Sequence, residues 1–270
     1  MRSILMLSLL GLLACGPGRS LDRAERALQE GDFAGAEAGF RQVLERWPDQ
    51  ADALYGLGFV YNASGDVSRA RDYFNRCVRV APQDARGHRG LGLVAIAEGN
   101  PLQAEEHLTE ALRLSPDDPR ALSTMGMLRL SEGRHEEALA LLTRAQAAEP
   151  DRAEYALNIA EAQLRLKRHE EALATVDAAL QAELREPRFR GMLLVLHARI
   201  IVAMTSDRID PARCDETAPP VLTWLSRATG DLEEAISLGI PLGDLPAARR
   251  LVARRKSVIA EQCPGAASAR

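Results

Sequence analysis

The run Arg-His-Glu-Glu-Ala-Leu occurs twice in the sequence, at residues 134–139 and 168–173, and contains residue types that could bind a metal ion. A zinc-protease helix carries His-Glu-x-x-His, because two imidazoles one helical turn apart can reach the same ion. The place of the second histidine is taken by Leu139 in one copy and by Leu173 in the other. The sequence therefore predicts no metal site here, and the 34-residue spacing of the two copies (168 − 134) points to a repeated architecture.

No other pattern in the sequence predicts catalysis. His88, His107 and His197 have no partner at metal-ligand spacing. A Gly-x-Ser-x-Gly nucleophile motif and a phosphate-binding loop are both missing from the sequence. The net charge of -4 gives no basic field for nucleic acid. We therefore expect a protein that is not an enzyme, that carries no cofactor or metal, and that binds neither nucleic acid nor a small-molecule substrate.

Small and apolar residues recur with the same period across most of the chain. Gly31, Gly65, Gly99 and Gly133 share one position, at which Lys167 replaces glycine in the last copy. A glycine there suits a tight turn between two helices, because only glycine adopts a left-handed backbone cheaply. The other columns are Ala36, Ala70, Ala104, Ala138 and Ala172, then Pro48, Pro82, Pro116 and Pro150, then Phe40, Phe74, Leu108, Leu142 and Val176, and finally Gly58, Gly92, Gly126 and Ala160.

This pattern resembles the tetratricopeptide repeat (TPR), a helix-turn-helix unit of the same period. The resemblance implies an all-α fold, a TPR solenoid whose helix pairs stack into a right-handed superhelix. Five repeats are expected within residues 21–186, the first of them degenerate. Because Pro17 and Gly18 precede it, the opening helix of the first repeat is expected to begin near Leu21. An irregular helical C-terminal cap is expected over residues 187–263, followed by a disordered tail at 264–270.

In a TPR solenoid, the first helix of each pair lines the concave face. The outward positions of these helices predict an apolar strip edged by three arginines. An exposed apolar strip commonly marks a binding site, and this one would suit a protein segment with acidic flanks. The alternative is that the C-terminal helices of the chain itself fill the strip. The predicted protein-binding residues are Tyr55, Phe59, Arg86, Arg89, Leu93, Ile96, Arg120, Met127, Leu130 and Leu164.

The N-terminus predicts export and a lipid anchor. The apolar run from Ile4 to Leu13 is shorter than a membrane span and is typical of a signal peptide. It ends in Leu-Leu-Ala-Cys, which resembles the lipobox of bacterial lipoproteins, although an ordinary signal peptide with a chance cysteine is the alternative. The resemblance implies a signal peptide at 1–14, a lipidated, palmitate-bearing Cys15 and a short tether at 15–20. It further implies the periplasmic face of the outer membrane, because the next residue is not the aspartate associated with inner-membrane retention.

Three cysteines remain if Cys15 is lipidated. Cys77 falls on an inward column and is expected to be a buried thiol. Cys214 and Cys263 lie beside loop signals, in a compartment that would be oxidising. We therefore predict a disulfide between Cys214 and Cys263.

The C-terminal cap is expected to contain several helices. An apolar helix is expected over Arg190–Met204, a shorter one over about Pro220–Ala228, and a turn at Gly230 that leads into another helix. The last helix is expected over about Leu245–Gln262. Its basic residues either contact anionic lipid or an acidic partner, or form a solvated face. These residues are Arg249, Arg250, Arg254, Arg255 and Lys256.

The combination of signal peptide, lipobox, TPR array and length resembles the small TPR outer-membrane lipoproteins of type IV pilus systems, the secretin pilotins. The resemblance implies a secretin client that the protein helps to reach the outer membrane and to multimerise there. The long cap departs from simple members of this family. The alternative function is a TPR adaptor for another envelope machine, such as peptidoglycan enzymes or outer-membrane protein assembly.

Overall fold

The computed structural model describes residues 17–182, 184, 187–205, 208, 210–239 and 243–264, and every regular element within them is a helix. The predicted signal peptide, Cys15 and residues 265–270 of the predicted tail lie outside these ranges. No helix within them is both long enough and apolar enough to cross a membrane. The α-helices are α1 Gly18–Gln29, α2 Phe33–Arg46, α3 Ala51–Ala63, α4 Val67–Val80, α5 Ala85–Ala97, α6 Pro101–Leu114, α7 Pro119–Ser131, α8 His135–Ala148, α9 Ala153–Arg165, α10 His169–Gln181, α11 Pro187–Thr205, α12 Cys214–Ser237 and α13 Leu245–Gln262.

The helices form two compact units, an N-terminal unit that ends at Leu128 and a C-terminal unit that begins at Arg129. In the N-terminal unit α1 packs against α2, α3 against α4 and α5 against α6, and α2 and α4 also pack against the helices that follow them. In the C-terminal unit α8 to α11 pack in chain order, and α11, α12 and α13 pack against one another. Pairs of helices joined by tight turns therefore build the all-α solenoid that the sequence period predicted.

The turns inside the helix pairs have the backbone that the glycine column predicted. Gly31, Gly65, Gly99 and Gly133 have φ values of 78°, 80°, 69° and 77°. Lys167, at the equivalent position, adopts φ 60°. A side chain in this left-handed region costs about 1 kcal/mol or more, whereas glycine adopts it freely. The last of the five turns is therefore strained.

The second helix of a pair begins in one of two ways. Asp32, Asp66 and Asn100 each accept a hydrogen bond from the backbone N–H three residues later, which is an N-cap. In the doubled Arg-His-Glu-Glu-Ala-Leu run the cap residues are Arg134 and Arg168, and neither side chain makes such a bond. Two glutamates in the first turn instead face the positive end of the helix dipole. The run is therefore a helix start, as predicted.

The ring of Phe74 in α4 packs against glycines on two neighbouring helices. Its side chain is fully buried. A β-carbon at Gly58 of α3 would lie 2.6 Å from the ring, and one at Gly90 of α5 would lie 2.3 Å from it. Both distances are shorter than non-bonded carbon atoms tolerate. A large residue on one helix therefore fills the seam only because small residues face it, as the columns predicted.

Helix α1 begins at Gly18, ahead of the predicted start at Leu21. Pro17 already has the helical φ of -62°, and its carbonyl accepts a hydrogen bond from the N–H of Leu21 at 2.9 Å. The sequence prediction treated proline and glycine as helix breakers. Proline is instead favourable next to a helix start, because its φ is fixed near the helical value and no partner for its N–H is needed there.

Helix α12 runs without interruption from Cys214 to Ser237, so the predicted helix over Pro220–Ala228 and the turn at Gly230 were wrong. Buried apolar residues continue at helical spacing through this segment. A continuous buried stripe outweighs the roughly 1 kcal/mol that an internal glycine costs. The stripe consists of Ala218, Val221, Leu225, Ala228, Leu232 and Ala235.

Helices α10, α11 and α12 meet at a buried histidine. His197 of α11 is fully buried, and its Nδ1 lies 2.6 Å from Oδ2 of Asp231 in α12. Its Nε2 lies 3.3 Å from Oδ1 of Asp177 in α10, at an angle too poor for a hydrogen bond. Arg227 of α12 donates to the same Asp177 oxygen at 2.7 Å. These polar contacts attach the cap to the last helix of the predicted repeats.

The structure contains the predicted disulfide between Cys214 and Cys263, whose Cα atoms are 5.4 Å apart. It joins the start of α12 to the residue after α13. Cys77 is a buried free thiol, also as predicted. Burial raises the pKa of Cys77 to about 11, so this thiol stays protonated and unreactive near neutral pH.

Lys167→Gly should raise the free energy of unfolding by about 1 kcal/mol, because glycine removes the strain of the left-handed turn. Gly133→Ala is the matched control and should lower it by a similar amount, since it introduces the same strain. Urea unfolding followed by circular dichroism measures both changes. An unchanged midpoint for Lys167→Gly would show that this turn is not strained.

Loss of the disulfide should lower the free energy of unfolding by about 4 kcal/mol in the chain-entropy model, since the bond spans a separation of 49 residues. Thermal unfolding with and without a reductant measures the effect. The control is the variant with both Cys214→Ser and Cys263→Ser, which should no longer respond to the reductant. Equal stability of the oxidised and reduced wild-type protein would contradict the prediction.

Candidate protein-binding face

Phe59 of α3, Leu93 of α5 and Met127 of α7 occupy the same position in three successive repeats of the N-terminal unit. We call these three residues the inner apolar row. Phe59 and Leu93 are half-buried, and the side chain of Met127 is 41% exposed. The opposite sides of the same helices carry fully buried residues such as Leu57 and Leu122. Phe59 also packs against the core cluster that contains Phe40 and Phe74, so the core uses part of the row, and Met127 is its exposed member.

A buried arginine lies under this face. Arg89 of α5 is only 5% exposed. Its Nη1 donates to Oδ2 of Asp118 at 3.0 Å, and its Nη2 donates to the hydroxyl of Tyr55. The Tyr55 ring lies 5.8 Å from the Phe74 ring and has the guanidinium of Arg89 at 5.6 Å from its centroid. The cation is thus both paired and stacked, which limits its freedom to move.

A second arginine, Arg86, is held by two carboxylates. Its Nη2 lies 2.7 Å from Oδ1 of Asp52 and 2.6 Å from Oδ2 of Asp84. Burial would raise the pKa of Asp84, but hydrogen bonds from Arg86 outweigh burial and hold this pKa below its usual value. Asp84 therefore stays charged well below neutral pH, and the pair persists there.

These ion pairs correct the predicted role of Arg86 and Arg89 as free cations at the edge of the groove. Both charges are already countered, by Asp52, Asp84 and Asp118. These ion pairs were not predicted from the sequence, because each column was considered for its own charge and not for charges in adjacent repeats. The sequence does contain a signal for one of these ion pairs, because residues of opposite charge, Asp52 and Arg86, share one position in successive repeats.

Two further predicted residues complete this face. Ile96 is half-buried near the end of α5. Arg120, at the start of α7, is exposed; its backbone N–H donates to Oδ1 of Asp118 at 2.9 Å, and its carbonyl accepts from Oγ1 of Thr124 at 2.7 Å. Its guanidinium has no ion pair within the described residues. Arg120 is therefore the one predicted edge arginine of this face whose charge is free for a ligand.

The remaining predicted residues, Leu130 and Leu164, lie in the C-terminal unit and contribute to its core. Leu130 packs against the cluster that contains Leu142 and Ile159. Leu164 packs against a cluster that includes Leu193 of α11. Both side chains are half-buried. Of the apolar residues predicted for the strip, Met127 is accordingly the one that is exposed.

The arrangement suits binding rather than group transfer. The paired charges of Arg86 and Arg89 lie on the same helix as Leu93, and we call these pairs the floor of this face. A ligand therefore gains by burying the row and leaves no floor charge unpaired. Within the described ranges, no group of three or more His, Cys, Asp and Glu side chains is placed to hold a metal ion. The face is thus a candidate surface for a protein segment.

Stacked helix pairs with an exposed inner row define a helical-repeat scaffold. The sequence model of the family described as "Tetratricopeptide repeat" matches residues 27–93, 95–156 and 129–194. These matches cover more than half of the chain, so the chain belongs to the TPR family. As a member of this family it is a protein-binding scaffold.

Several solved TPR structures share the fold. TTC0263, a thermophilic TPR protein of Thermus thermophilus, has 24% identity, a TM-score of 0.60, and coverage of 70% of this chain and 99% of its own. The Cut9-Hcn1 hetero-tetramer of APC/C has 16% identity, a TM-score of 0.70, and coverage of 88% and 42%. PilW, described as a widely conserved type IV pilus biogenesis factor, has 15% identity, a TM-score of 0.63, and coverage of 86% and 97%. These identities show the fold alone, and no curated protein matches the sequence.

Arg89→Ala should lower the free energy of unfolding by about 3 kcal/mol, because it removes the positive charge that is paired with the largely buried Asp118 carboxylate. Arg120→Ala is the matched control on the same face. It should change stability by less than about 0.5 kcal/mol, since the side chain is exposed and unpaired. Chemical denaturation of both variants tests the assignment. Equal losses of stability in the two variants would mean that the buried Arg89–Asp118 pair does not stabilise this face.

Proposed function

We propose that this TPR scaffold works in the bacterial cell envelope and assists the assembly of a type IV pilus secretin at the outer membrane. The observation that carries the proposal is the inner apolar row, which is partly exposed beside a floor of paired charges. A rigid floor reduces the entropy lost when a partner binds. The proposed site is therefore ready to receive a segment of a protein client.

The chemistry of this face constrains the client segment. Because Arg86 and Arg89 are already paired, the acidic flanks expected from the sequence are not required. The segment that fits best is apolar, with a single acidic group beside Arg120. Such a segment would bury the exposed side of Met127 and would place its own charge next to the free guanidinium.

The proposed outer-membrane location rests on the lipobox-like sequence that ends at Cys15. Helix α1 begins at Gly18, so only two residues separate Cys15 from the first helical residue. Two residues span at most about 7 Å. A diacylglyceryl group on Cys15 would therefore hold α1 against the bilayer, where a client that enters the same membrane could be met.

The choice of a secretin as client is supported by the combination of this N-terminus with the TPR array. It is also supported by the shared fold with PilW, over 86% of this chain. The client itself is chosen on that analogy. The inner apolar row explains how a client of this kind would be held.

Replacement of Phe59 and Met127 by Asp should abolish secretin multimers in cells, because two carboxylates would be buried against an apolar segment. The measurement is the amount of heat-resistant secretin multimer in the outer-membrane fraction. Met127→Asp alone is included, because Met127 is exposed and its replacement cannot disturb the core as Phe59→Asp could. It should reduce multimers at least severalfold.

Leu102→Asp is the matched control, since Leu102 is 79% exposed on α6 and lies outside the inner apolar row. This variant should keep multimers at the wild-type level. Multimers that persist in the double variant would refute the secretin role. Recovery of peptidoglycan enzymes or outer-membrane assembly factors with the wild-type protein, and not with the Met127→Asp variant, would assign the same face to another envelope machine.

A further inference from the structure

Three arginines on α13 form an exposed basic surface. Arg249, Arg250 and Arg254 are all exposed, and none has an ion pair within the described part of the chain. We call these three residues the α13 basic face. Many other arginines of the protein are engaged by carboxylates, as Arg86 and Arg227 are. Three uncompensated guanidinium groups within six positions therefore set this helix apart.

The rest of α13 is firmly attached to the C-terminal unit. Ala248, Val252 and Ile259 are buried in a cluster shared with α11 and α12. Two further cations at the margins of the helix are already engaged: Arg255 donates to the carbonyl of Thr205, and Lys256 donates to Oγ1 of Thr229 at 2.7 Å. The disulfide at Cys263 holds the end of the helix. The α13 basic face is thus presented on a fixed support.

Charge is concentrated on this helix. α13 contains four arginines, one lysine and one glutamate, which gives +4, whereas the whole chain carries -4. Leu251 lies beside the arginines and is 46% exposed. The exposed side also carries the small residues Ala247 and Ala253. The exposed side of α13 therefore combines fixed positive charge with one exposed leucine and otherwise small side chains.

We propose that the α13 basic face docks on the headgroups of an anionic phospholipid membrane. Guanidinium groups bind phosphate with two parallel hydrogen bonds, and the charges are complementary. A bilayer surface is broad, so a convex helix meets it without needing a groove. The exposed Leu251 can enter the headgroup boundary, where burial of its side chain adds to the electrostatic attraction. The membrane is therefore the occupant that accounts for both the charge and the leucine.

The test uses the unacylated polypeptide that begins at Gly16, which retains every described residue. Flotation is measured with vesicles of phosphatidylethanolamine plus phosphatidylglycerol, and with vesicles of phosphatidylcholine alone. Wild type should float with the anionic vesicles only, and high salt should release it. The Arg249→Gln, Arg250→Gln, Arg254→Gln variant should bind about a hundredfold more weakly, because each arginine near an anionic surface strengthens binding roughly fivefold.

The matched control replaces Arg46, Arg79 and Lys167 by Gln. These cations are also exposed and have no ion pair within the described residues, and they lie on α2, on α4 and in the turn before α10. The control changes the net charge equally and should bind the anionic vesicles within a fewfold of wild type. Equal losses of vesicle binding in the two triple variants would show that only the net charge matters, and would overturn the proposal.

Two other outcomes would also overturn it. Wild type that fails to float with anionic vesicles would exclude a lipid partner and leave an acidic protein as the occupant of this face. Equal flotation with phosphatidylcholine would show that the arginines are not involved. Circular dichroism melting should give the same midpoint for all variants, because every substituted side chain is exposed. The secretin assay uses a different face, so either proposal can fail without the other.

Discussion

The packing of Phe74 against Gly58 and Gly90 is the contact on which the N-terminal unit depends. One ring on α4 touches both α3 and α5, so it joins two successive repeats. This contact brings α3 and α5 near enough for Asp52 to reach Arg86 and for Tyr55 to reach Arg89 across 34 residues of sequence. A side chain at either glycine would push the helices apart and would separate these polar pairs. The floor of the candidate site is therefore a consequence of a packing constraint in the core.

Most of the fold could be predicted from the sequence because the repeat period carries redundant information. The left-handed turns, the buried large residues and the bounds of α13 all follow from local residue types and spacing, and the Cys214–Cys263 disulfide follows from the compartment that the N-terminus implies. The error at Gly230 arose because a turn motif was read locally, whereas the burial of Leu232 and Ala235 depends on packing against distant helices. The ion pair between Arg89 and Asp118 was not predicted for the same reason, since it is a tertiary contact.

Arginine serves two opposite purposes in this chain. In the N-terminal unit Arg89 is desolvated, and its charge is cancelled by Asp118, so it contributes rigidity and specificity to the inner face rather than attraction at a distance. On α13 the charges of Arg249, Arg250 and Arg254 are uncancelled and face solvent. Long-range attraction is a property of such unpaired groups, because a paired charge has a short-ranged field. The number of arginines therefore says little about binding until their partners are known.

The doubled Arg-His-Glu-Glu-Ala-Leu run shows why function in a repeat protein lies away from its most repetitive residues. His135 and His169 begin helices, and Leu139 and Leu173 pack on the clusters below them, so turn geometry and packing already constrain these positions. Outward positions of the inner helices have no such constraint. Opposite charges, Asp52 and Arg86, occupy one of them in successive repeats. Because neither the turns nor the seams fix the residue type there, these positions can be adapted to a particular client while the turns and seams stay the same.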